Sequence, residues 1–213
     1  MIFTFEGAPA VGKTTVSEEL KKQYDCYVIP EVNKLFGHEK RRSHFWYYKK
    51  QIQRWQLSTQ NHSSKPLTIL DGDTFQPIWF SSLFPNENWG SFEKMVEFYS
   101  DMLDKNLVGF PHKYLFFHTD EKIRAHREAI RSKHLGKSLE AILKKVNRYR
   151  DFAISQYAYF SDLQKRFPEL VVFLQATEKA ESIKTILNCS KSHPYEDREI
   201  FKFIVGWCRE AKQ

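Results

Sequence analysis

The sequence has 213 residues, of which 41% are hydrophobic and 15% aromatic, and this composition excludes a disordered or low-complexity chain. Its net charge of +7, from 33 Lys and Arg against 26 Asp and Glu, allows nucleic acid, an anionic membrane surface or a phosphate-rich substrate as partner. No apolar run approaches the length of about 18 residues that a membrane span needs, and Met1–Glu6 has no features of a signal peptide.

Short apolar runs alternate with helical stretches along the whole chain. Five runs are predicted to be buried strands: Ile2–Phe5, Cys26–Ile29, Leu67–Leu70, Lys113–His118 and Leu170–Gln175. Seven stretches are predicted to be helices: Lys13–Tyr24, Phe45–Gln60, Ser91–Asn106, Asp120–Lys133, Ser138–Phe167, Glu178–Leu187 and Glu196–Ala211. This alternation predicts a single domain over residues 1–213, a three-layer α/β/α fold with a five-stranded parallel sheet covered on both faces.

A phosphate-binding loop is predicted at the first junction between strand and helix. The residues Gly7–Thr14 match the pattern G-x-x-x-x-G-K-[ST] at every fixed position. Glycines let backbone N–H groups approach phosphate oxygens, Lys13 should reach the β- and γ-phosphates of ATP or GTP, and the Thr14 hydroxyl should ligate Mg²⁺. The predicted nucleotide-binding residues of the loop are Gly7, Ala8, Pro9, Ala10, Val11, Gly12, Lys13, Thr14 and Thr15. The alternative is a glycine-rich turn with a surface lysine.

A P-loop that opens so short a chain resembles the small-molecule kinases of the P-loop superfamily. By pattern the nearest relatives look like the deoxynucleoside kinases and the thymidylate kinases. The resemblance implies the P-loop nucleoside triphosphate hydrolase fold. It also implies transfer of the γ-phosphoryl group of ATP or GTP, with Mg²⁺, to a nucleoside, a nucleotide or a similar small hydroxyl-bearing molecule.

Acidic residues follow the second and third predicted strands, at the edge of the sheet where open α/β folds bind ligands. Asp71 ends an apolar run, the Walker B arrangement, in which the carboxylate orients Mg²⁺; the alternative is a polar turn. Gly72 occupies the position at which both kinase families carry an arginine near the reacting phosphoryl group. Asp73 is predicted to bind the phosphoryl acceptor.

The segment Pro30–Asn33 resembles the Pro-Glu-Pro segment of deoxynucleoside kinases, whose glutamate contacts the sugar hydroxyl and acts as general base. The resemblance implies this catalytic and substrate-binding role for Glu31. The alternative is that Glu31 is only an acidic residue at the N-terminus of a helix.

The second predicted helix, Phe45–Gln60, is rich in aromatic residues. Phe45, Tyr48, Ile52 and Trp55 share one face at spacings of three and four, which is typical of core packing. However, Trp46-x-Tyr48-x-x-Gln51 resembles the W-x-F-x-x-Q segment of deoxynucleoside kinases. The resemblance implies that Tyr48 and Gln51 bind a heterocyclic acceptor, with the carboxamide presenting both a donor and an acceptor.

Basic residues follow the fourth predicted strand. Arg124, Arg127 and Arg131 lie at spacings of three and four, and the segment at about 120–137 resembles the lid of P-loop kinases, whose arginines close over the phosphates. The resemblance implies a catalytic role for Arg127 and Arg131 and donor binding by Arg124; the alternative is a solvated amphipathic helix. Gln175–Thr177 falls where such kinases place the loop around the donor purine.

Two other functions remain compatible with the P-loop. One is an NTPase that couples hydrolysis to an RNA or protein partner, and the other is an antibiotic phosphotransferase. The chain has no RGG tract and no RNP1-like run, so we expect a small-molecule partner and neither nucleic acid nor membrane.

Three widely separated cysteines predict no disulfide framework, which favours a cytoplasmic location. Small P-loop kinases are often dimers, so the resemblance allows a homodimer.

Overall fold

The computed structural model describes residues 1–37, 43–62, 64–85, 89–176, 178–189 and 192–211. Its strands are β1 Ile2–Glu6, β2 Cys26–Ile29, β3 Leu67–Asp71, β4 Lys113–His118 and β5 Val171–Gln175. Its helices are α1 Lys13–Gln23, α2 Val32–Leu35, α3 His44–His62, α4 Gln76–Leu83, α5 Phe92–Asp104, α6 Glu121–His134, α7 Leu139–Arg166, α8 Lys179–Asn188 and α9 Asp197–Glu210. Thr177, predicted for the donor-purine loop, lies outside the described residues.

The five strands form one parallel sheet in the order β2-β3-β1-β4-β5. The central strand β1 pairs with both β3 and β4, with Phe3 beside Ile69 on one side and Lys113 on the other. This arrangement confirms the predicted five-stranded parallel sheet. It also brings the carboxyl ends of β1, β2 and β3 together at one edge, so the residues that follow these strands can share one site.

Side chains alternate between the two faces of the sheet, and each face is covered by its own apolar cluster. On β4, Tyr114 and Phe116 pack in one cluster, together with Trp79 and Phe160, while Phe117 packs in the other. Because both faces are buried, the strands read as continuous apolar runs, which made them recognisable in the sequence. The three-layer α/β/α prediction is therefore confirmed.

Two helices, α2 and α4, had no prediction. Helix α2 is a single turn of four residues, too short to show a period. Helix α4 is apolar on nearly every side, and both Ile78 and Trp79 are fully buried, so its sequence shows no polar face. Its only local signal is Pro77, which is well tolerated in the first turn of a helix.

Helices α6 and α7 each begin directly after a residue whose side chain caps the helix. The Asp120 side chain accepts a hydrogen bond from the backbone N–H of Lys122, and the Ser138 hydroxyl accepts one from Ala141. These caps fix the start of α6 and α7 at the predicted positions. Within the described ranges, no helix is both long and apolar enough to cross a bilayer.

Candidate active site

The loop between β1 and α1 has the backbone of a tight turn around a ligand. Gly7, Ala10 and Gly12 have φ values of 128°, 70° and 116°. A Cβ atom added at Gly7 would lie 2.2 Å from the backbone oxygen of Phe117, so the loop can lie against β4 only with glycine there. Lys13 Nζ donates to the carbonyl oxygen of Gly7 and, at 3.4 Å, to that of Ala8. Lys13 is also the first residue of α1, whose N-terminus attracts anions.

Replacing Gly7 by alanine should destabilise the fold strongly. The new methyl group must displace the backbone of Phe117, and the residue would also keep a positive φ. We expect the free energy of unfolding, measured by urea titration, to fall by about 3 kcal/mol or more. Gly136→Ala is the matched control, because Gly136 has φ +70° but no atom within 4 Å of an added Cβ, and its cost should be about 1 kcal/mol. Equal losses in the two variants would show that the contact with Phe117 is unimportant.

A cavity of about 780 Å³, here named the P-loop cavity, opens above the loop. It is lined by residues of the loop and α1 and by residues from five further segments: Ala8, Pro9, Ala10, Val11, Gly12, Lys13, Thr14, Thr15, Val16, Glu31, Lys34, Asp71, Arg127, Arg131, Tyr149, Ala176, Lys179 and Ser182. Five of these side chains carry positive charge against two carboxylates. The cavity therefore suits an anionic ligand such as a chain of phosphates.

Two of the three predicted lid arginines reach the P-loop cavity. Arg127 donates to the carbonyl oxygens of Val11, at 3.3 Å, and Ala176, at 3.4 Å. The half-exposed Arg131 pairs with the carboxylate of Glu128. Both arginines line the cavity from α6.

Arg124 does not line the P-loop cavity, so its prediction as a donor-binding residue needs correction. The residue is 1% exposed, and its guanidinium donates to both carboxylate oxygens of Glu121, at 2.6 and 2.7 Å, and to the carbonyl oxygen of Val146, at 2.9 Å. The residue lies in the first turn of α6, where α7 packs across the helix. Arg124 thus joins α6 to α7 instead of facing the phosphates.

A buried carboxylate strengthens the same junction between helices. Glu128 on α6 accepts hydrogen bonds from Ser132, at 2.9 Å, and from Lys145 on α7, at 2.8 Å. Burial acts to raise the pKa of Glu128, but the hydrogen bonds from Lys145 and Ser132 and the charge of Arg131 outweigh it and lower the pKa. Glu128 is therefore ionised, and it holds Arg131 beside the P-loop cavity.

The two predicted acids of the site lie at the carboxyl ends of β2 and β3, and both line the P-loop cavity. Glu31 is exposed, and Asp71 Oδ2 lies 3.1 Å from Lys34 Nζ. Burial acts to lower the pKa of Lys34, but the nearby charges of Asp71 and Glu31 outweigh it and raise the pKa. The Thr14 hydroxyl lines the same cavity as the Asp71 carboxylate, and oxygen donors of these two kinds fit Mg²⁺.

Asp73 faces the core and lines neither the P-loop cavity nor the cavity beside it, so its prediction as a substrate-binding residue needs correction. Its carboxylate is buried and accepts hydrogen bonds from the backbone N–H of Phe75, the indole of Trp79 and the hydroxyl of Tyr114. The chain turns at Gly72, where φ is 93°, and this turn directs Asp73 away from the ligand edge.

A second cavity of about 250 Å³, here named the adjoining cavity, opens beside the first. Its lining combines aromatic rings with amide and charged groups: Glu6, Gly7, Pro9, Lys13, Glu31, Val32, Asn33, Tyr47, Gln51, Arg54, Asp71, Gly72, Gln76, Phe80, Trp89, Phe152 and Gln156. Four residues, Pro9, Lys13, Glu31 and Asp71, line both cavities. The two cavities therefore meet at the P-loop lysine and the two acids.

The residues of α3 that line the adjoining cavity differ in part from those predicted to bind the acceptor. The cavity is lined by Tyr47, whose hydroxyl donates to Gln76 Oε1 at 3.0 Å. The prediction for Tyr48 needs correction: it is 2% exposed, lies outside the cavity lining, and its hydroxyl donates to the carbonyl oxygen of Trp89. Burial raises the pKa of Tyr48 to about 12. Tyr48 belongs to the core stripe that the same helix was expected to form.

Arg54, which had no predicted role, organises the ends of two strands. Its buried guanidinium donates to the carbonyl oxygens of Pro30, at 2.8 Å, and of Asp71 and Gly72, at 2.7 and 3.1 Å. It also donates to Gln51 at 2.6 Å, and because a guanidinium has no acceptor, the contacted atom must be the carboxamide oxygen. Gln51 lines the adjoining cavity, and because Arg54 occupies its carboxamide oxygen, the group that remains for a ligand is the NH₂ donor.

Glu6, at the end of β1, holds the base of the adjoining cavity. Its Oε1 accepts the backbone N–H of Asp73 at 2.6 Å, and its Oε2 accepts Nε2 of Gln156 at 2.6 Å and the N–H of Gly7 at 3.3 Å. Burial and the nearby charge of Asp73 raise the pKa of Glu6 to about 8. Neither Glu6 nor Gln156 was predicted, although a polar residue within an apolar strand or helix face is a signal that a sequence can show.

Comparisons with known proteins bear on the fold. No protein-family model matches the chain, and no curated protein matches it. Solved structures of deoxyadenosine kinase from M. mycoides do match: the form with bound dATP is 17% identical over 88% of this chain and 98% of that one, with a TM-score of 0.56. The form with bound dCTP is 18% identical over 88% and 97% of the two chains, with a TM-score of 0.54. With its parallel sheet, the chain thus has a nucleoside kinase-like P-loop fold.

Proposed function

We propose that the protein is a kinase that transfers the γ-phosphoryl group of ATP or GTP to a nucleoside, a nucleotide or a similar small hydroxyl-bearing molecule. One observation carries this proposal: a basic cavity on the P-loop meets a smaller aromatic and amide-lined cavity, and Lys13, Glu31 and Asp71 line both. Two ligands in these cavities would have their reacting ends at the shared residues. A P-loop NTPase that only hydrolyses its nucleotide has no need of the second cavity.

On the donor side, the loop amides and Lys13 bind the β- and γ-phosphates, and Arg127 and Arg131 approach from α6. Thr14 and Asp71 would hold Mg²⁺, which neutralises phosphate charge when bound. Guanidinium groups offer two parallel donors to the oxygens of the transferring group, and these contacts strengthen as charge spreads over them. Lys34, which pairs with Asp71 at 3.1 Å, lines the same cavity and would add a positive charge beside the phosphates.

On the acceptor side, Glu31 is the group we assign as general base. Its carboxylate lines both cavities and is exposed to them, so it can accept the proton of a hydroxyl that attacks the γ-phosphorus. The bond from phosphorus to the bridging oxygen of the donor breaks as the new bond forms, and the nucleoside diphosphate leaves. Gln51 and the rings of Tyr47, Trp89 and Phe152 suit a flat heterocycle.

The solved neighbours support this acceptor class. They are structures of deoxyadenosine kinase, and one form holds the products dCMP and a flexible dCDP; it is 15% identical over 88% of this chain and 97% of that one, with a TM-score of 0.57. A kinase of that kind binds nucleosides and nucleotides, and the size and lining of the adjoining cavity suit a small heterocyclic ligand.

The lid role of α6 leads to a prediction for Arg127. Arg127→Ala should lower kcat about 100-fold and change the KM for the acceptor little, because its contacts strengthen in the transition state. Hydrogen exchange in residues 122–137 should slow when Mg²⁺ and nucleotide bind the wild-type protein. The exposed Arg209, on α9, is the control, and its replacement by alanine should change neither kcat nor the KM for the acceptor. Unchanged exchange across residues 122–137 would contradict a lid.

A screen of phosphoryl acceptors tests the proposed function. Purified protein is incubated with Mg²⁺ and ATP or GTP, and nucleoside diphosphate release is measured with each of a set of nucleosides, nucleotides and aminoglycosides. We expect one class of nucleoside or nucleotide to accelerate release well above the rate with water. Acceleration by aminoglycosides alone would favour an antibiotic phosphotransferase. Acceleration only by added RNA would favour the RNA-coupled NTPase.

A further inference from the structure

A third cavity, here named the β4 cavity, lies at the carboxyl end of β4 between α6 and α7, and the proposed reaction does not use it. Its volume is about 410 Å³. Sites for small organic ligands usually measure about 300–1,000 Å³. The β4 cavity shares Ala8 and Val11 with the P-loop cavity and no lining residue with the adjoining cavity. It is therefore a separate space that borders the phosphate-binding loop.

Most of the wall of the β4 cavity is apolar. Phe116 on β4 and Ala153 on α7 line it, together with Ile154 and Tyr157, which are 64% and 47% exposed. The rings of Phe116 and Tyr157 meet edge to face, with their centroids 5.9 Å apart. Exposed apolar surface is stabilised when a ligand covers it, and aromatic walls suit a flat ring. The wall therefore favours a ligand with a flat apolar body.

Two polar groups in the same lining lack a partner. Thr119 Oγ1 and Arg124 Nη1 are buried, and neither has a hydrogen-bond partner among the residues that the structure describes. The other two guanidinium nitrogens of Arg124 are occupied by Glu121 and by the carbonyl oxygen of Val146. Native proteins rarely leave a buried polar group unpaired. A ligand with a polar group in the β4 cavity would supply the partner.

The charges around the β4 cavity indicate an anion. Burial lowers the pKa of His118 below its usual value, so its ring is neutral near physiological pH. Two guanidinium groups, those of Arg124 and Arg150, line the cavity against the carboxylate of Glu121, which Arg124 already pairs. Asp151 contacts Arg150 at Nε, at 3.4 Å, and the terminal nitrogens of this exposed guanidinium suit a carboxylate.

We propose that the β4 cavity binds a small organic acid, with a flat apolar body and one carboxylate, at a site separate from those of the phosphoryl donor and acceptor. The body would cover Ile154 and Tyr157. The carboxylate would accept hydrogen bonds from Thr119, Arg124 and Arg150. The inference goes beyond the proposed function, because none of the groups that carry it takes part in phosphoryl transfer.

The test compares an acid with its neutral amide. The probes are 2-naphthoate and 2-naphthamide, which have the same ring system and differ in charge. Isothermal titration of the purified protein measures the affinity for each, with and without saturating Mg²⁺ and a non-hydrolysable ATP analogue. We expect one equivalent of 2-naphthoate to bind at least about tenfold more tightly than the amide, because charge-assisted hydrogen bonds are the stronger ones. Binding of 2-naphthoate should persist when the nucleotide analogue is present.

Variants locate the bound acid. Arg150→Gln should weaken 2-naphthoate about tenfold and leave 2-naphthamide unchanged. Thr119→Val, which keeps the shape of the side chain, should weaken 2-naphthoate about three- to tenfold. Ala153→Trp fills the cavity and should prevent binding of both probes. The control is Arg166→Gln, since Arg166 is exposed on the same helix, pairs with Glu199 and does not line the cavity.

The controls separate binding from folding. Thermal unfolding of each variant should match that of the wild-type protein within a few degrees. Arg124 is kept intact, because it joins α6 to α7. If Ala153→Trp does not fold, Arg150→Gln and Thr119→Val decide the location.

Four results would overturn the inference: no binding of either probe, equal affinity for the acid and the amide, unchanged affinity for 2-naphthoate in Arg150→Gln, or loss of 2-naphthoate binding when the nucleotide analogue is present. The last result would place the acid in the P-loop cavity. None of these results bears on the proposed function, which the screen of phosphoryl acceptors tests independently.

Discussion

Lys13→Ala should slow phosphoryl transfer by about 10²–10³ while leaving the fold intact. Lys13 lines both cavities and lies at the N-terminus of α1, and it donates to the carbonyl oxygen of Ala8 at 3.4 Å. A nucleotide can offer its β- and γ-phosphate oxygens to the same ammonium group. Removing one preorganised charge from such a site costs about 10²–10³ in kcat, or about 3–4 kcal/mol. The measurement is steady-state transfer to the acceptor found by screening.

The control for Lys13→Ala is Lys202→Ala, since Lys202 is exposed on α9 and lines neither cavity. Thermal unfolding of both variants should match that of the wild-type protein within a few degrees. A folded Lys13→Ala protein with near-native turnover would show that the loop does not bind the reacting phosphates.

Glu31→Gln and Asp71→Asn should separate the acceptor side from the metal side. Glu31→Gln removes the proposed base, so kcat should fall by about 10²–10⁴, the usual contribution of general base catalysis. Its affinity for Mg²⁺ and nucleotide should stay close to that of the wild-type protein. Asp71→Asn should weaken that affinity and also slow any hydrolysis by water, because the carboxylate is the proposed metal ligand. Titration of a fluorescent ATP analogue with and without Mg²⁺ measures both affinities.

The control for these two acids is Asp101→Asn, because Asp101 is exposed on α5, where it pairs with Lys105, and it lines neither cavity. It should change neither turnover nor affinity. Equal loss of nucleotide affinity in Glu31→Gln and Asp71→Asn would place Glu31 on the donor side and contradict its role as base.

The fold was predictable because its main signals are local. The three inner strands β1, β3 and β4 are buried on both faces and have the apolar sequences typical of such strands. The loop at Gly7–Thr14 occurs between a strand and a helix, as its pattern requires. Helix α4 was not predicted because it lacks a clear local signal. It is buried on nearly all sides, so its sequence lacks the contrast between polar and apolar faces on which helix prediction depends.

On helix α3 the predicted ligand-binding tyrosine differs from the observed one by a single position. Of the four residues predicted to form the core face, Tyr48, Ile52 and Trp55 are buried, whereas Phe45 is 43% exposed. Tyr47 and Arg54 form the cavity face together with Gln51, at the same spacings of four and three, but shifted by one position. Successive residues differ by about 100° around a helix, so the adjacent Tyr47 and Tyr48 project in different directions. A short sequence resemblance that includes Tyr48 therefore does not show which of the two faces the ligand.

Other corrections depend on contacts between distant segments. Arg124 has the spacing of the lid arginines, yet its guanidinium reaches the carbonyl oxygen of Val146, on α7, which no local pattern reveals. Asp73 follows a strand as a ligand-edge acid should, but the indole of Trp79 and the hydroxyl of Tyr114 bind it in the core. Such pairings are set by packing of the whole sheet, and they became visible only in three dimensions.

The most direct test of the account follows the fate of the γ-phosphoryl group. Purified protein receives Mg²⁺, nucleotide labelled in the γ-phosphate, and an equimolar mixture of nucleosides and nucleoside monophosphates, and the labelled products are separated and identified by mass spectrometry. We predict that most of the label is found in a phosphorylated nucleoside or nucleotide, and that Lys13→Ala slows this transfer by about 10²–10³. Label found only in inorganic phosphate, at a rate that the mixture does not change, would contradict a kinase.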